Sequence, residues 1–411
     1  MKLRKHGIES VVAALVFSNA LLFAAGAEPR KADMGSLFRP ANFQSLGKLV
    51  VASGETVIFD TGSAETPPSL SGVLKGTGGV GVSQSGKVQL AVFSFDAITI
   101  ATGAKVEVKG DRGLMLLSKE AVSIDAKFDL SGGNGTAGRG NPVGAGGPGG
   151  EGGEYRKTFA SNPPAADGGD GGPAMKDNGK PGRGYGAGFN RRAKGGVAGG
   201  GGGYGGAGGD TSEGSPVLGG KIAPMPGGVT YGSEKLDDLF GGSGGAGASN
   251  DRGGDNGSGG GGGGAIGIIS LKAIVLGPKG QISVNGGNGG KDKIGGGGGS
   301  GGAILLAAPT VTLNKDSSLD ASGGAGASGD ENVELEIREG RGRRNSGSGG
   351  GGGGGRIAIY AMADIGAPGK DQVEKKLPAG VLINGGKGGH MAKDGQAGTL
   401  YDGKWPGLGQ P

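Results

Sequence analysis

Cysteine is absent from the 411 residues of this chain, and aromatic residues make up only 4% of it, with a single tryptophan. The lack of cysteine excludes disulfide bonds, thiol nucleophiles and cysteine metal sites. The scarcity of aromatic rings argues against a conventional core of large side chains. Proline is also modest, at 19 residues, and no Gly-X-Y period runs through the chain, so a collagen triple helix is excluded.

Histidine is nearly absent as well, with only His6 and His390 in the chain. His6 belongs to the leader described below, so one histidine remains, in a Gly-Gly-His-Met stretch that we expect to be an exposed loop. A Ser-His-Asp triad and a histidine zinc site are therefore excluded.

The first residues have the composition of an export signal. Lys2, Arg4 and Lys5 precede an apolar run over residues 11–25, and Ala25-Gly26-Ala27 matches a cleavage site. We predict a signal peptide over residues 1–27 and an exported protein, extracellular, on the cell surface or in the periplasm. The apolar run is too short for a membrane anchor, and no integral membrane segment is predicted in the mature chain.

The net charge of +5 is small and dispersed, so no nucleic acid partner is predicted. Phosphate-binding loops are not expected either, since no Gly-Lys pair is followed by Ser or Thr. One basic cluster lies among Glu334, Glu336 and Glu339, which favours a self-paired solvated loop over an anion site. The cluster consists of Arg338, Arg341, Arg343 and Arg344.

Glycine, at 107 residues, dominates the chain and recurs in a repeated pattern. Copies lie at residues 113–135, 259–290, 296–326 and 349–389; each contains short runs of alternating apolar residues, such as Ile274 and Leu276. Alternation with period two is typical of half-buried strands, and such short units bury their apolar faces by stacking. These copies predict an all-β, right-handed parallel β-helix-like solenoid with long glycine-rich loops, or with polyglycine-type packed strands in their place.

The composition divides the chain into six segments. They are a signal peptide at 1–27, a linker at 28–46, N-terminal β-helix coils at 47–133, a glycine-rich insert at 134–264, C-terminal β-helix coils with glycine loops at 265–401, and a tail at 402–411 carrying Trp405. The insert is either flexible or packed backbone to backbone, because ordering glycine is entropically costly. Within it, residues 233–240 predict one short helix capped by Ser233.

Residues 92–135 and the repeat GGGGSGGAILLAAPTVTLNKDSSLDASGGAG resemble glycine-rich secreted and cell-surface proteins of Gram-negative bacteria. The resemblance covers about half of the mature chain. It implies a β-helix-like fold and an extracellular or cell-surface location, but no particular activity. Many such proteins carry a C-terminal sorting tail with a Pro-Glu-Pro motif, whose pattern is not found here.

One stretch is similar to a catalytic motif. VIFDTGSA, residues 57–64, resembles the active-site segment of pepsin-like aspartic proteases, with Asp60 in the catalytic position. That chemistry needs a second carboxylate in the same motif to share a proton. The segments that begin at Asp129 and Asp320 do not match the Asp-Thr-Gly or Asp-Ser-Gly pattern. Asp60 is therefore predicted to lie at the end of a strand, and an aspartic protease is the alternative.

Two further sets of residues resemble functional patterns of known proteins. Pectin lyases and related β-helix enzymes act through charged groups on their outer face, and such a region is formed here by Lys119, Asp125, Lys127 and Asp129. Calcium-binding nonapeptide repeats need aspartates at strict spacing, whereas the spacing is irregular at Asp167, Asp170, Asp210, Asp251 and Asp255. We predict solvated charges in both sets, and no catalytic residue, cofactor or metal site.

The function that the sequence favours is a non-enzymatic structural or adhesive component of a cell surface or extracellular matrix. The expected partners are further copies of the chain or a cell-surface polysaccharide. The alternatives are a carbohydrate-binding or carbohydrate-cleaving β-helix protein, and a polyglycine bundle over residues 134–264 that binds ice or another surface.

Overall fold

A computed structural model describes residues 38–83, 88–137, 146–147, 188, 196–213, 223–250, 256–329, 347–362 and 380–406. Within these ranges the only helix is the short 3-10 helix Pro40–Asn42, and every other regular element is a strand. A search of the same ranges finds no helix of the length and apolarity needed to span a bilayer.

The strands in chain order are β1 Lys48–Val51, β2 Thr56–Asp60, β3 Ser69–Gly72, β4 Gly76–Thr77, β5 Gly79–Val82, β6 Gln89–Phe95, β7 Ala97–Ile100, β8 Lys105–Lys109, β9 Gly113–Ser118, β10 Val122–Ile124, β11 Lys127–Asp129, β12 Gly196–Val197, β13 Ser249–Asn250, β14 Ala265–Ser270, β15 Ala273–Leu276, β16 Gln281–Ser283, β17 Ala303–Ala307, β18 Thr310–Leu313, β19 Ser318–Asp320, β20 Arg356–Ala361, β21 Val381–Leu382 and β22 Thr399–Lys404.

These strands form four main sheets and one small pair. Sheet A has seven strands in the order β22-β20-β17-β14-β9-β6-β5, and sheet B has five in the order β1-β7-β10-β15-β18. Sheet C has the order β4-β3-β2-β8, sheet D the order β11-β16-β19-β21, and β12 pairs with β13. Sheets B and D are parallel throughout, so chain segments far apart in sequence lie side by side.

One apolar core draws residues from all four main sheets. Alternation places Ile98 and Ile100 of β7 inside, at 0% and 1% exposure, while Thr99 between them is exposed. Phe59 of sheet C and Phe93 of sheet A meet edge to face, with ring centroids 5.4 Å apart. Burial of each such side chain contributes roughly 1.5–3 kcal/mol, so this core holds the sheets together.

A second cluster covers the opposite face of sheet A. Leu236 and Leu239, at 0% and 2% exposure, pack there beside Tyr204. The helix predicted over residues 233–240 is wrong, because this segment forms turns, with Leu236 at a φ of 55°. So few residues gain little from helical hydrogen bonds, and the turn lets Leu236 and Leu239 both reach the sheet.

The side chain of Arg356 joins the segments of this second cluster to sheet A. It is 6% exposed, lies 5.4 Å from the ring centroid of Tyr204, and donates hydrogen bonds to the carbonyl of Tyr231 at 2.8 and 3.1 Å. A further bond, of 2.9 Å, reaches Oγ1 of Thr399. Because a guanidinium donates in several directions at once, this one residue holds the Tyr204 and Tyr231 segments against β20 and β22.

The predicted right-handed parallel β-helix-like solenoid with long glycine-rich loops is wrong. The described strands form separate sheets of seven, five, four and four strands rather than one closed solenoid. In sheet C, β3 pairs antiparallel with β2 and β4, whereas β2 and β8 are parallel; in sheet A, β5 pairs antiparallel with β6. The antiparallel pairing depends on glycine: Gly72, at a φ of 97°, lies where a Cβ would be 2.1 Å from the Thr56 carbonyl oxygen. The strands of the four copies do pair parallel to one another, and the antiparallel strands lie at residues 69–82, before the first copy, where apolar alternation specifies the buried face but not the strand direction.

Candidate functional surface

The glycine-rich segments that the structure describes are packed backbone to backbone and are not loops. Residues 197–206, 242–248 and 256–264 are buried, and amide N–H groups in one segment bond carbonyl oxygens in the next. Bonds of 2.7–2.9 Å link seven glycines from different segments into one zigzag, in which the N–H of each glycine donates to the carbonyl of the previous glycine in the series. The series is Gly133, Gly261, Gly287, Gly299, Gly324, Gly352 and Gly386. We call this network of segments the glycine lattice.

Close approach explains why the lattice needs glycine. A Cβ added to Gly287 would lie 1.8 Å from the carbonyl oxygen of Gly133, and one added to Gly299 would lie 2.0 Å from that of Gly261. Both oxygens belong to hydrogen-bonded backbone that has no free direction in which to move. The lattice is therefore held by backbone bonds and contacts, and a side chain at these positions would separate the segments.

One exposed surface of the lattice has a three-residue repeat. Residues 131–137, 285–290, 322–328 and 384–390 lie side by side, and backbone bonds link them at every third residue. The outward positions, which need not be glycine, carry mainly small polar residues: Ser131, Asn134, Asn285, Asn288, Ser322, Ala325, Asn384 and Lys387. We call this surface the Gly-Gly-X face.

The asparagines of the Gly-Gly-X face have fixed orientations. Oδ1 of Asn134 accepts the backbone N–H of Asn288 at 2.8 Å, and Oδ1 of Asn288 accepts that of Ala325 at the same distance. Among the residues that the structure describes, neither Nδ2 group has a recorded partner. Since each Oδ1 is bound to the neighbouring segment, each amide nitrogen points its donors away from that bond. The Nδ2 group of Asn285, by contrast, donates to Asp320 Oδ2 at 2.8 Å. The face therefore presents an array whose oriented outward amide donors are those of Asn134 and Asn288.

A charged pair borders this array. Lys387 Nζ lies 2.7 Å from Asp394 Oδ2, and the N–H of Gly388 donates to the other carboxylate oxygen at 2.8 Å. The hydrogen bond from Lys387 lowers the pKa of Asp394, and the same bond raises the pKa of Lys387. Both groups stay charged near neutral pH, so they add no net charge to the face.

The four charged residues weighed for polysaccharide cleavage do not form one group of contacts. Lys127 Nζ pairs with Asp129 Oδ2 at 2.6 Å, whereas Lys119 pairs with Asp96 at 2.9 Å. Asp125 instead accepts hydrogen bonds from the hydroxyl of Thr102 and from the backbone N–H of Lys279. The Lys127–Asp129 pair thus lies within strand β11, whereas Lys119 and Asp125 each join separate segments of the chain.

The pKa values of these carboxylates are lowered. The hydrogen bond from Thr102 lowers the pKa of Asp125, helped by the Lys279 amide. Burial, the largest influence on Asp129, raises its pKa, but hydrogen bonds from Lys127 and Ser131 outweigh it and the net shift is downward. A general acid at neutral pH needs a raised pKa. The lowered pKa values of Asp125 and Asp129 instead suit carboxylates that stay ionised and keep their present contacts.

Asp60, the residue in the protease-like motif, ends strand β2. Its carboxylate accepts the N–H of Gly62 at 2.9 Å and lies 3.4 Å from Lys109 Nζ. Within the described ranges no second carboxylate is recorded in hydrogen-bond contact with it, so these residues form a strand end with a polar turn.

Of the aspartates weighed for calcium, only Asp210 lies in the described residues. It pairs with Lys393 at 2.7 Å and accepts the N–H of Gly227 at 3.0 Å. No group of three or more Asp, Glu or His side chains suited to a metal occurs in the part of the chain that the structure describes.

His390 is exposed, and its backbone N–H bonds the hydroxyl of Ser328 at 3.0 Å. The arginine cluster at 338–344 lies outside the described residues.

Sequence reasoning missed the Gly-Gly-X face, although its signal is present in the sequence. SGGN, NGGN, SGGA and NGGK begin at residues 131, 285, 322 and 384, at equivalent places in the four copies.

Comparison with protein-family models, curated proteins and solved structures finds no match for this chain.

Proposed function

We propose that the chain is an exported structural protein that adheres to polysaccharide at a cell surface or in an extracellular matrix. The observation that supports this most is the glycine lattice, which ties distant parts of the chain into one hydrogen-bonded body. Such a body resists local unfolding, because opening one segment breaks bonds to several neighbours. The export signal and the resemblance to secreted glycine-rich proteins are consistent with this role.

The adhesive surface in this proposal is the Gly-Gly-X face. The amide groups of Asn134, Asn288 and Asn384 and the hydroxyl of Ser131 can bond the hydroxyl and ring oxygens of a sugar chain, whereas Asn285 and Ser322 already donate to Asp320. Each contact is weak, at about 0.5–1.5 kcal/mol. Repetition over four parallel segments makes the binding multivalent, so a long polymer is held more tightly than an oligomer.

The experiment replaces Asn134 and Asn288 together by aspartate. Aspartate keeps an oxygen to accept the neighbouring backbone N–H, but it loses the outward amide donors and adds negative charge. The mature chain and the variant are incubated with insoluble neutral polysaccharides and with cell envelopes, and bound protein is measured after washing. We expect the variant to bind at least several-fold less while its urea midpoint stays close to that of the unchanged chain.

The matched control is Lys105→Gln, a change in an exposed residue of sheet C, away from the Gly-Gly-X face. It should bind like the unchanged chain. Equal binding by the aspartate variant would refute adhesion through this face, and the absence of binding by the unchanged chain would refute the proposed function.

A further inference from the structure

The exposed face of sheet B is a second regular surface, distinct from the Gly-Gly-X face. Its five parallel strands pair in continuous register, without a bulge. This register aligns one outward residue from each strand in a single row: Val50, Thr99, Ser123, Val275 and Thr312. A second row, two residues earlier along the strands, includes Lys48, Ala97, Ala273 and Thr310.

Both rows consist of small side chains that carry methyl groups, hydroxyl groups or both, apart from Lys48 at one end. Val50 is 58% exposed and Val275 37% exposed. Thr99, Ser123, Thr310 and Thr312 are exposed too. No hydrogen bond from these four hydroxyls to any residue in the described ranges is recorded. The face therefore combines exposed methyl groups with hydroxyls available to water.

The charges beside the rows are compensated. Asp96, which precedes β7, pairs with Lys119 at 2.9 Å, and Glu120, which precedes β10, pairs with Lys272. Because these charges neutralise one another, Lys48 at the β1 edge is the one charged residue among the five strands, and the other four strands suit a neutral partner. Small-molecule sites are typically concave and lined by aromatic side chains, whereas these rows contain no aromatic residue.

The spacing of the rows is set by strand geometry. Neighbouring residues in a row are about 4.8 Å apart, and the two rows are about 6.6 Å apart, from the ordinary dimensions of parallel sheets. A partner that contacts all five strands must repeat at similar intervals in two directions. Ice meets both conditions, since it is a neutral lattice of water oxygens with repeats of this order, and hydroxyls hold first-shell water in place.

We propose that the exposed face of sheet B binds ice. The methyl groups exclude bulk water, while the threonine and serine hydroxyls order the water that joins the lattice. The site differs from the polyglycine bundle considered from the sequence. Residues 197–206, 242–248 and 256–264 of that insert are buried within the glycine lattice, so they cannot contact a crystal.

The experiment measures thermal hysteresis and ice-crystal shape in a nanolitre osmometer, with the purified mature chain. Val275→Tyr places a large ring inside the row, between Ser123 and Thr312. Its matched control is Val80→Tyr, at a valine of strand β5 that is 45% exposed and lies outside sheet B. We expect hysteresis and faceted crystals with the unchanged chain and the control, and loss of at least half of the hysteresis with Val275→Tyr. Urea midpoints verify that both variants fold.

A second variant, Thr312→Lys, keeps the strand and adds a charge at the β18 end of the row, next to Val275. It should also reduce hysteresis. The absence of hysteresis in the unchanged chain, full activity in both row variants, or equal loss in Val80→Tyr would each overturn the proposal. Binding to crystalline polysaccharide through this face without any hysteresis would overturn it as well and assign the face to a different partner.

Discussion

Replacing Gly299 by alanine should destabilise the glycine lattice far more than an ordinary glycine-to-alanine change. Gly299 lies in the middle of the zigzag: its N–H donates to the Gly287 carbonyl at 2.9 Å, and its own carbonyl accepts from Gly324 at 2.8 Å. The new Cβ would be 2.0 Å from the carbonyl oxygen of Gly261, and 2.5 Å from the carbon of that carbonyl. The segment has to move by more than an ångström to relieve this contact.

The magnitude follows from the interactions that such a movement disturbs. Overpacking in a dense interior costs about 1–3 kcal/mol, and the two hydrogen bonds of Gly299 contribute about 0.5–1.5 kcal/mol each. Alanine also restricts the unfolded chain, which offsets about 0.4–1 kcal/mol. We therefore expect the variant to be about 1–6 kcal/mol less stable than the unchanged chain.

The assay is urea unfolding of the mature chain, followed by circular dichroism, with amide hydrogen exchange to locate the loss. The matched control is Gly347→Ala, also at a buried glycine, where the nearest atom to the new Cβ is the Ala198 Cβ at 3.3 Å. The control should stay within about 1 kcal/mol of the unchanged chain. If Gly299→Ala shows the same midpoint and the same exchange protection as the control, the close contacts are not what requires glycine.

Two other predictions concern side chains. Arg356→Lys should be about 2–4 kcal/mol less stable by urea unfolding, because an ammonium cannot donate at once to Tyr231 and Thr399; an unchanged midpoint would contradict this. The Asp210–Lys393 pair should stabilise the fold only while Asp210 is ionised. Burial, the largest influence, raises the pKa of Asp210, but hydrogen bonds from Lys393 and the Gly227 amide lower it below its ordinary value of 3.8. This stabilisation is complete above the ordinary pKa and is lost as pH falls through the folded pKa. The difference in midpoint between the unchanged chain and Asp210→Asn should thus shrink below pH 3.8; a constant difference from neutral pH to pH 3 would contradict it.

The alternation of apolar residues located the buried faces of several strands. Val122, Ile274 and Val311, at equivalent positions in three copies, pair side by side in sheet B even though the long insert separates the first two in sequence. Alternation carries this information because only one face of each strand can reach the core. It is equally compatible with parallel and antiparallel partners, so the antiparallel strands of sheet C and β5 were not predicted.

The glycine segments were the part that sequence reasoning could not place. A glycine has no side chain, so a run of glycines shows no apolar face and does not indicate which segments are its neighbours. Their positions depend on contacts such as Gly287 with Gly133, which join residues far apart in sequence. The turns of residues 233–240, which pack on sheet A, were not predicted for a different reason. Leu236 and Leu239 have a helix-like spacing, but the positive φ of Leu236 depends on packing against the sheet.

The asparagines of the Gly-Gly-X face supply the register information that glycine lacks. Two glycine segments can slide past each other by three residues and form the same backbone bonds. An outward asparagine removes this freedom, because its Oδ1 bonds one particular N–H of the next segment, as Asn134 does with Asn288 and Asn288 with Ala325. The strands attached to each segment fix the same register through Ile282 and its partners Phe128 and Leu319. Specificity thus comes from a few side chains and cohesion from the backbone. At Asn134 and Asn288 one side chain serves both purposes, because Oδ1 holds the register while the Nδ2 group faces outward and is left for binding.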